Sequence, residues 1–192
     1  MRKSGGVEGA EAGDGDARLV ASISRGDRRA FQDLYRAYFP RLARFLGRMT
    51  RNAPLIEEVI NDTMLVVWQK AQTYDGSSKV STWIFGIAYR QALKALRGVD
   101  EPVEFTVEPP GGPEHEPEYA AVGKQLQQGI SVALAALPLE QRMVVSLTYF
   151  HDMAYQEIAD TMGCPVNTVK TRMFHARQRL KAMLSPHMES TK

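Results

Sequence analysis

The chain has 192 residues, 44% hydrophobic and 24% charged, with one cysteine and a formal net charge of +2. That length holds one ordinary domain or two small ones, and that composition excludes disorder throughout. No run approaches the ~18 apolar residues a membrane span needs, and the lone Cys164 excludes an intramolecular disulfide and a Cys-based zinc site.

The N-terminus lacks the apolar stretch of a secretory signal, so no membrane insertion is expected and the expected address is cytoplasmic. Charge is unevenly spread: −1 over residues 1–20, +7 over 21–99, −6 over 100–130 and +2 over 131–192. Two basic blocks flank an acidic segment, which suggests a polyanionic partner for the blocks.

Residues 1–19, rich in Gly, Ala and acids, are expected to form a disordered tail. From Asp27 the pattern turns helical. Phe31, Leu34, Tyr35, Tyr38, Leu42, Phe45, Leu46 and Met49 recur at steps of three and four, and arginines fill the other positions. Pro40 is expected to kink or divide this helix, because it lacks a donor and crowds the preceding turn. A second helix is predicted over Leu55 to about Thr73, with Pro54 in its first turn and Ile56, Val59, Ile60, Met64 and Val67 buried. A loop follows at Tyr74–Ser78. A third helix carries Val80, Trp83, Ile84, Ile87 and Ala88 on one face and ends near Gly98, a suitable C-cap.

Residues 99–118 hold five of the ten prolines and seven acids. They cannot continue a helix and read as part of a mobile linker over 99–121. At ~3.3 Å per residue this linker reaches at most about 80 Å. Helical pattern resumes from Tyr119 to Leu137, restarts after Pro138, and continues with Ile158, Ala159 and Met162 up to Gly163. A last helix carries Val169, Met173, Ala176, Leu180 and Leu184. No stretch alternates as a strand does. The expectation is an all-α chain of two small helical domains, 20–98 and 122–186, with a tail at 187–192.

Tyr155–Leu184 has the grammar of a helix-turn-helix. A short helix with the small Ala159 at the close approach leads to a Gly163 turn, and a longer basic helix follows. Asn167 is expected to cap that helix, accepting from backbone N–H groups two or three residues on. Lys170, Arg172, Arg177, Arg179 and Lys181 lie off the apolar stripe, where each phosphate contact steepens the salt dependence of binding. Charge alone fits a solvated basic helix equally well; the register of small residue, turn and cap favours DNA.

On these residues the chain resembles the extracytoplasmic-function (ECF) group of bacterial sigma factors, over about residues 20–98 and 125–184. The C-terminal half, LPLEQRMVVSLTYFHDMAYQEIADTMGCPVNTVKTRMFHARQRL, resembles their region 4. By that resemblance Asn167, Thr168, Lys170, Thr171, Arg172, His175 and Arg177 meet the −35 element. The segment IEEVINDTMLVVWQKAQTYD resembles the polymerase-binding helix of region 2, which implies that Glu57, Glu58, Asn61, Asp62 and Trp68 dock on the β′ clamp helices. KVSTWIFGIAYRQALKALR resembles the segment that opens the −10 element. That implies a base-capturing loop with Tyr74, Asp75, Ser77, Ser78 and Lys79, and Trp83, Tyr89, Arg90 and Lys94 nearby. Opening DNA needs a pocket for an unstacked base and a wall to stack it.

Three positions depart from the family pattern. Leu55 stands where the acidic motif usually begins, Asn167 replaces a common Gly, and Ala154 replaces a common Ser or Thr cap, at a cost of about 1 kcal/mol. Without the family register, Trp68 and Trp83 read equally as core, and Glu57 and Glu58 as solvated charges. Thr63 is weighed as a phosphorylation site in the polymerase-binding helix, and Cys164 as a redox sensor that lacks a resolving thiol. His115, His151, His175 and Cys164 do not fall at metal spacings, so no metal or other cofactor is expected. The acidic linker is either a spacer or an insert into a positively charged polymerase channel.

The resemblance implies a promoter-specificity subunit whose partners are core RNA polymerase (β′ clamp helices and β flap), promoter DNA and an anti-sigma factor. The linker spans duplex sites one or two turns apart, ~34–70 Å. With its recognition surfaces held together until polymerase parts them, the free chain is expected to bind promoter DNA poorly. The alternative is a stand-alone helix-turn-helix regulator, which leaves the N-terminal helices without a task. An enzyme needs carboxylates clustered in a rigid cleft; here the densest acids lie in the Pro-rich linker, and no catalytic activity is expected.

Overall fold

Asp27 and Asn52 fix where the first long helices begin. The computed structural model describes the backbone of residues 5–97 and 129–189. Asp27 Oδ1 accepts from Arg29 N and Ala30 N and starts α2 (Arg28–Leu46); Asn52 Oδ1 accepts from Leu55 N and starts α3 (Ala53–Lys70). α2 runs unbroken through Pro40, contrary to the expected division. The buried Tyr38 and Leu42 on either side hold it to the core, and Arg44 Nε donates to the Pro40 carbonyl. α3 ends in a single 3-10 turn over Ala71–Thr73, so the helix proper is shorter than its pattern. α4 (Val80–Arg97) follows; its expected cap at Gly98 lies outside the described residues, as does the whole linker, 99–121.

The expected N-terminal tail is instead largely helix: α1 spans Gly5–Ile23. Its anchors are tertiary. Val20 and Ile23 are buried, and the phenol of the fully buried Tyr38 donates to Asp16 Oδ2 at 2.5 Å. The core of this first unit joins Leu34, Phe45, Ile60, Met64, Ile84 and Phe85 from α2, α3 and α4.

The second unit comprises α5 (residues 129–135), α6 (Leu139–Phe150), α7 (Tyr155–Met162) and α8 (Val166–Glu189). α8 therefore runs past residue 187, where a tail is expected. Met143, Leu147, Ile158, Ala159, Val169, Met173 and Ala176 close its core. Gly163 ends α7 in the left-handed region, φ 63° and ψ 41°, which a β-carbon disfavours. Ala154 offers no capping oxygen, but Glu157 Oε2 accepts from Ala154 N at 2.8 Å and supplies half of a capping box.

Among the described residues there is no strand, and no helix is long and apolar enough to cross a membrane. The two units touch: α4 packs along α7, with Gly86 facing the Thr161 backbone.

Candidate nucleic-acid and polymerase interfaces

The helix-turn-helix presents the candidate −35 residues on α8. Asn167 does not cap it. The helix starts after Pro165, whose carbonyl accepts from Thr168 N and Val169 N, so Asn167 sits exposed in the first turn. A proline cannot donate but suits the residue just ahead of a helix. Thr171 Oγ1 donates to the Asn167 carbonyl at 2.9 Å. Steps of three and four align Asn167, Thr171, Phe174, His175 and Gln178 opposite the buried Val169, Met173 and Ala176.

Basic residues border this stripe on both sides. Lys170, Arg177 and Lys181 form one exposed edge; Thr168, Arg172 and Arg179 form the other. Arg177 Nη2 donates to Tyr149 Oη at 3.1 Å. Arg172 is half-buried, its Nη1 3.6 Å from Cys164 Sγ. Apolar and polar readers flanked by cations are what a helix lying in a major groove needs.

The loop between α3 and α4 is a turn closed on itself. Tyr74 donates to the Ser78 carbonyl at 2.5 Å, and its ring lies 5.2 Å from that of Trp83. Asp75 Oδ1 accepts from Ser77 N at 2.9 Å, and hydrogen bonds from Ser77, hydroxyl first, hold the Asp75 carboxyl below its usual range. Gly76 takes φ 75° at the tip.

The candidate −10 residues on α4 divide. Trp83, Arg90 and Lys94 share one face at steps of seven and four, Trp83 half-buried and the two cations exposed. Tyr89 points away from them and is buried, only 5% exposed, against the second unit. Burial raises its phenol pKa, Glu140 adds to the rise and Arg172 opposes it. Lys79, also from this set, makes a 2.9 Å ion pair with Glu157 of α7.

The candidate polymerase residues come together. Glu57, Glu58, Asn61 and Asp62 are exposed on one face of α3, with Trp68 half-buried at its end. Tyr35 donates to Asn61 Oδ1 at 3.0 Å, and Phe31 meets Trp68 edge-on at 5.2 Å. Between α2 and α3 these side chains line a groove of about 550 Å³. Leu55, the departure from the acidic motif, is half-buried against the core. Thr63 lies on the opposite, core side, 0% exposed, its hydroxyl donating to the Val59 carbonyl at 2.7 Å. Phosphorylation, as considered above, requires this hydroxyl to leave the core and give up that bond. Among the described residues no group of three His, Cys, Asp or Glu side chains is placed to hold a metal.

Residues 34–100 match the family description Sigma-70 region 2, and residues 127–180 match Sigma-70, region 4. The ECF RNA polymerase sigma factor RpoE of Cereibacter sphaeroides is 34% identical over 175 residues, which cover 88% of this chain and 94% of the relative. The chain belongs to the ECF RNA polymerase sigma factors.

The RNA polymerase sigma-H factor of Pseudomonas aeruginosa is 28% identical over 182 residues, covering 89% of this chain and 94% of that one. Two solved structures share the fold at 22% identity. CnrH in complex with the cytosolic domain of CnrY has a TM-score of 0.65 over 90% of this chain and 98% of its own. RpoE in complex with the anti-sigma factor NepR from Bartonella quintana has 0.64 over 81% and 96%.

Two surface residues of this sigma factor escape sequence reasoning. Leu65 is 52% exposed in the middle of the acidic α3 face, and Phe174 is 58% exposed in the middle of the α8 stripe. Each stands one residue past a buried methionine, Met64 or Met173, and off the predicted buried stripe, and only its exposure singles it out.

Proposed function

We propose that this sigma factor binds core polymerase through the α3 face and the α2–α3 groove, reads the −35 duplex with α8, and opens the −10 element with the α3–α4 loop and α4. The observation that carries this is the α8 stripe: Asn167, Thr171, Phe174 and His175 exposed between two basic edges. Asn is a bidentate adenine reader and Phe a partner for the thymine methyl; Lys170 and Arg177 sit where they reach phosphates. Trp83, packed against Tyr74 at a 40° tilt, offers a wall for an unpaired base, with Arg90 and Lys94 along the strand's path.

Leu65 and Trp68 supply the apolar centre of the polymerase contact, and Glu57, Glu58 and Asp62 its charged rim. The chain positions the promoter, and bond-making belongs to the polymerase. Work at that enzyme places the chain in the cytoplasm. An anti-sigma factor is the further partner this reading takes, seated over the same groove.

Run-off transcription from a supercoiled promoter library with core polymerase, with and without the chain, tests this. New starts are expected that disappear with Lys170→Ala/Arg172→Ala. Promoter binding without new starts would support the stand-alone regulator instead.

A further inference from the structure

Positive charge gathers at one place that neither the promoter nor the polymerase reading uses. Arg41, Arg44 and Arg48 follow one another on α2 at steps of three and four and share a face. That face borders the seam between the two units, where Phe150 and His151 meet it. The Arg48 guanidinium covers the Phe150 ring at 4.5 Å. Arg41 stands 5.7 Å from the Phe85 ring, and the His151 ring packs on that same ring at 4.7 Å.

Among the described residues, the ion pairs Arg18–Asp14, Arg36–Asp33 and Lys79–Glu157 leave Arg41, Arg44 and Arg48 without a carboxylate. Arg44 gives Nε to the Pro40 carbonyl and is exposed; Arg41 and Arg48 lie half-buried against ring faces, Arg41 also bonding the Tyr38 phenol. An aromatic ring takes the flat of a guanidinium and leaves its in-plane N–H groups for an anion. The imidazole among them feels the crowding. Beyond burial, Arg41, Arg44 and Arg48 hold the His151 pKa down at about 4, and Asp152 opposes them. Like charges this close in a partly dry site repel, and one bound anion relieves them together.

From Arg41 to Arg48 the row runs about 10 Å along the helix. A single phosphate does not reach from end to end, whereas a chain of two or three does. At the Arg48 end the Phe150 ring is 53% exposed, a flat apolar surface beside the last guanidinium. We propose that the α2 arginine row, with Phe150 at its end, is a binding site for a nucleoside polyphosphate. Arg41, Arg44 and Arg48 hold the phosphates with their forks, and Phe150 stacks the base. None of these residues is a candidate promoter or polymerase contact, so the proposal goes beyond the promoter reading and does not depend on it.

Calorimetric titration of the full-length chain at about 0.15 M salt provides the test, with magnesium-free ATP, inorganic tripolyphosphate and inorganic phosphate as probes. ATP is expected to bind tightest, tripolyphosphate about fivefold more weakly and phosphate at least tenfold more weakly again. Arg44 is exposed, so Arg44→Gln removes charge without disturbing the core; it is expected to weaken ATP and tripolyphosphate alike, about fivefold or more. Phe150→Leu keeps an apolar cover for Arg48 but no ring, and is expected to weaken ATP about fivefold while tripolyphosphate holds. The basic edges of α8 are the rival site for any polyanion. Lys170→Ala/Arg179→Ala is therefore expected to leave ATP affinity unchanged.

A second readout is the His151 imidazole proton signals by NMR, expected to shift on adding ATP in the parent and to stay put in Arg44→Gln. Failure of ATP and tripolyphosphate to bind overturns the proposal. So does binding that survives Arg44→Gln and disappears in Lys170→Ala/Arg179→Ala. Phosphate binding as tightly as tripolyphosphate would make this a single-anion site, and ATP unaffected by Phe150→Leu would remove the nucleoside from the assignment.

Discussion

Arg177 Nη2 donates to the Tyr149 phenol oxygen at 3.1 Å, across the gap between the end of α6 and the recognition helix. Both groups are exposed, so the bond adds little stability. Its effect is on direction: it holds the guanidinium at the edge of the exposed α8 stripe, where the proposed −35 docking brings a phosphate.

Removing either partner therefore has a different signature. In holoenzyme binding to a promoter duplex, Arg177→Ala is expected to lower the log–log salt slope by about 0.9, the value for one lost phosphate contact. Tyr149→Phe keeps the charge, so the slope is expected to hold while affinity falls about twofold. Tyr149→Phe added to Arg177→Ala is expected to change nothing more. A slope change in Tyr149→Phe alone would mean that the phenol itself touches DNA.

On the α3 face, Leu65 is the apolar residue that exposure singles out. Replacing it with Asp puts a carboxylate on an open surface, which changes stability by no more than about 0.5 kcal/mol. Loss of a central apolar anchor is expected to weaken core polymerase binding about tenfold or more. Titration of labelled chain with core polymerase checks this; unchanged affinity would remove Leu65 from the interface.

Asp16 ties α1 to α2. Tyr38 is 0% exposed, and burial, with the Asp16 hydrogen bond adding, pushes its phenol far above the ordinary tyrosine range. Asp16→Ala leaves that hydroxyl buried without its acceptor, at a cost of about 1–3 kcal/mol, a fall in Tm of about 5 °C or more. Tyr38→Phe removes donor and need together and is expected to cost less. In the Tyr38→Phe background Asp16→Ala is expected to be nearly silent; thermal unfolding of the four proteins closes the cycle.

The same contact explains what the sequence leaves hidden. α2, α3, α4 and the helix-turn-helix are legible because each carries its own apolar period and start or stop signals: Asp27, Pro54, Gly163. α1 begins as a run of Gly, Ala and acids without such a period, and what anchors it is Asp16, Val20 and Ile23 meeting α2 and its neighbours, a tertiary fact. Asn167 looks like a cap by residue type, yet Pro165 two residues earlier sets the helix start. Thr63 reads as an open hydroxyl, but it lies on the buried face with its donor satisfied by Val59. The burial of Tyr89 is illegible for a different reason. Glu140, Cys164 and Arg172 of the second unit act on it, from beyond a linker whose composition says nothing of where its ends meet.

His151 makes the seam sensitive to acid. Burial between Phe45 and Phe85, reinforced by Arg41, Arg44 and Arg48 and opposed only by Asp152, lowers its pKa from 6.5 to about 4. The unfolded chain then binds a proton between pH 6.5 and 4 that the folded chain does not, so stability rises with pH across that window. The contribution is complete above pH 6.5 and is lost as pH falls towards 4. The ring is partly open to solvent, so screening trims the effect to about 2 kcal/mol or less. His151→Phe keeps an aromatic ring against Phe85 and cannot charge. Chemical denaturation at pH 7.5 and pH 5 is expected to show a smaller stability loss in the variant than in the parent. Equal losses would mean that His151 is already charged in the seam, and that Phe45 and Phe85 do not enclose it.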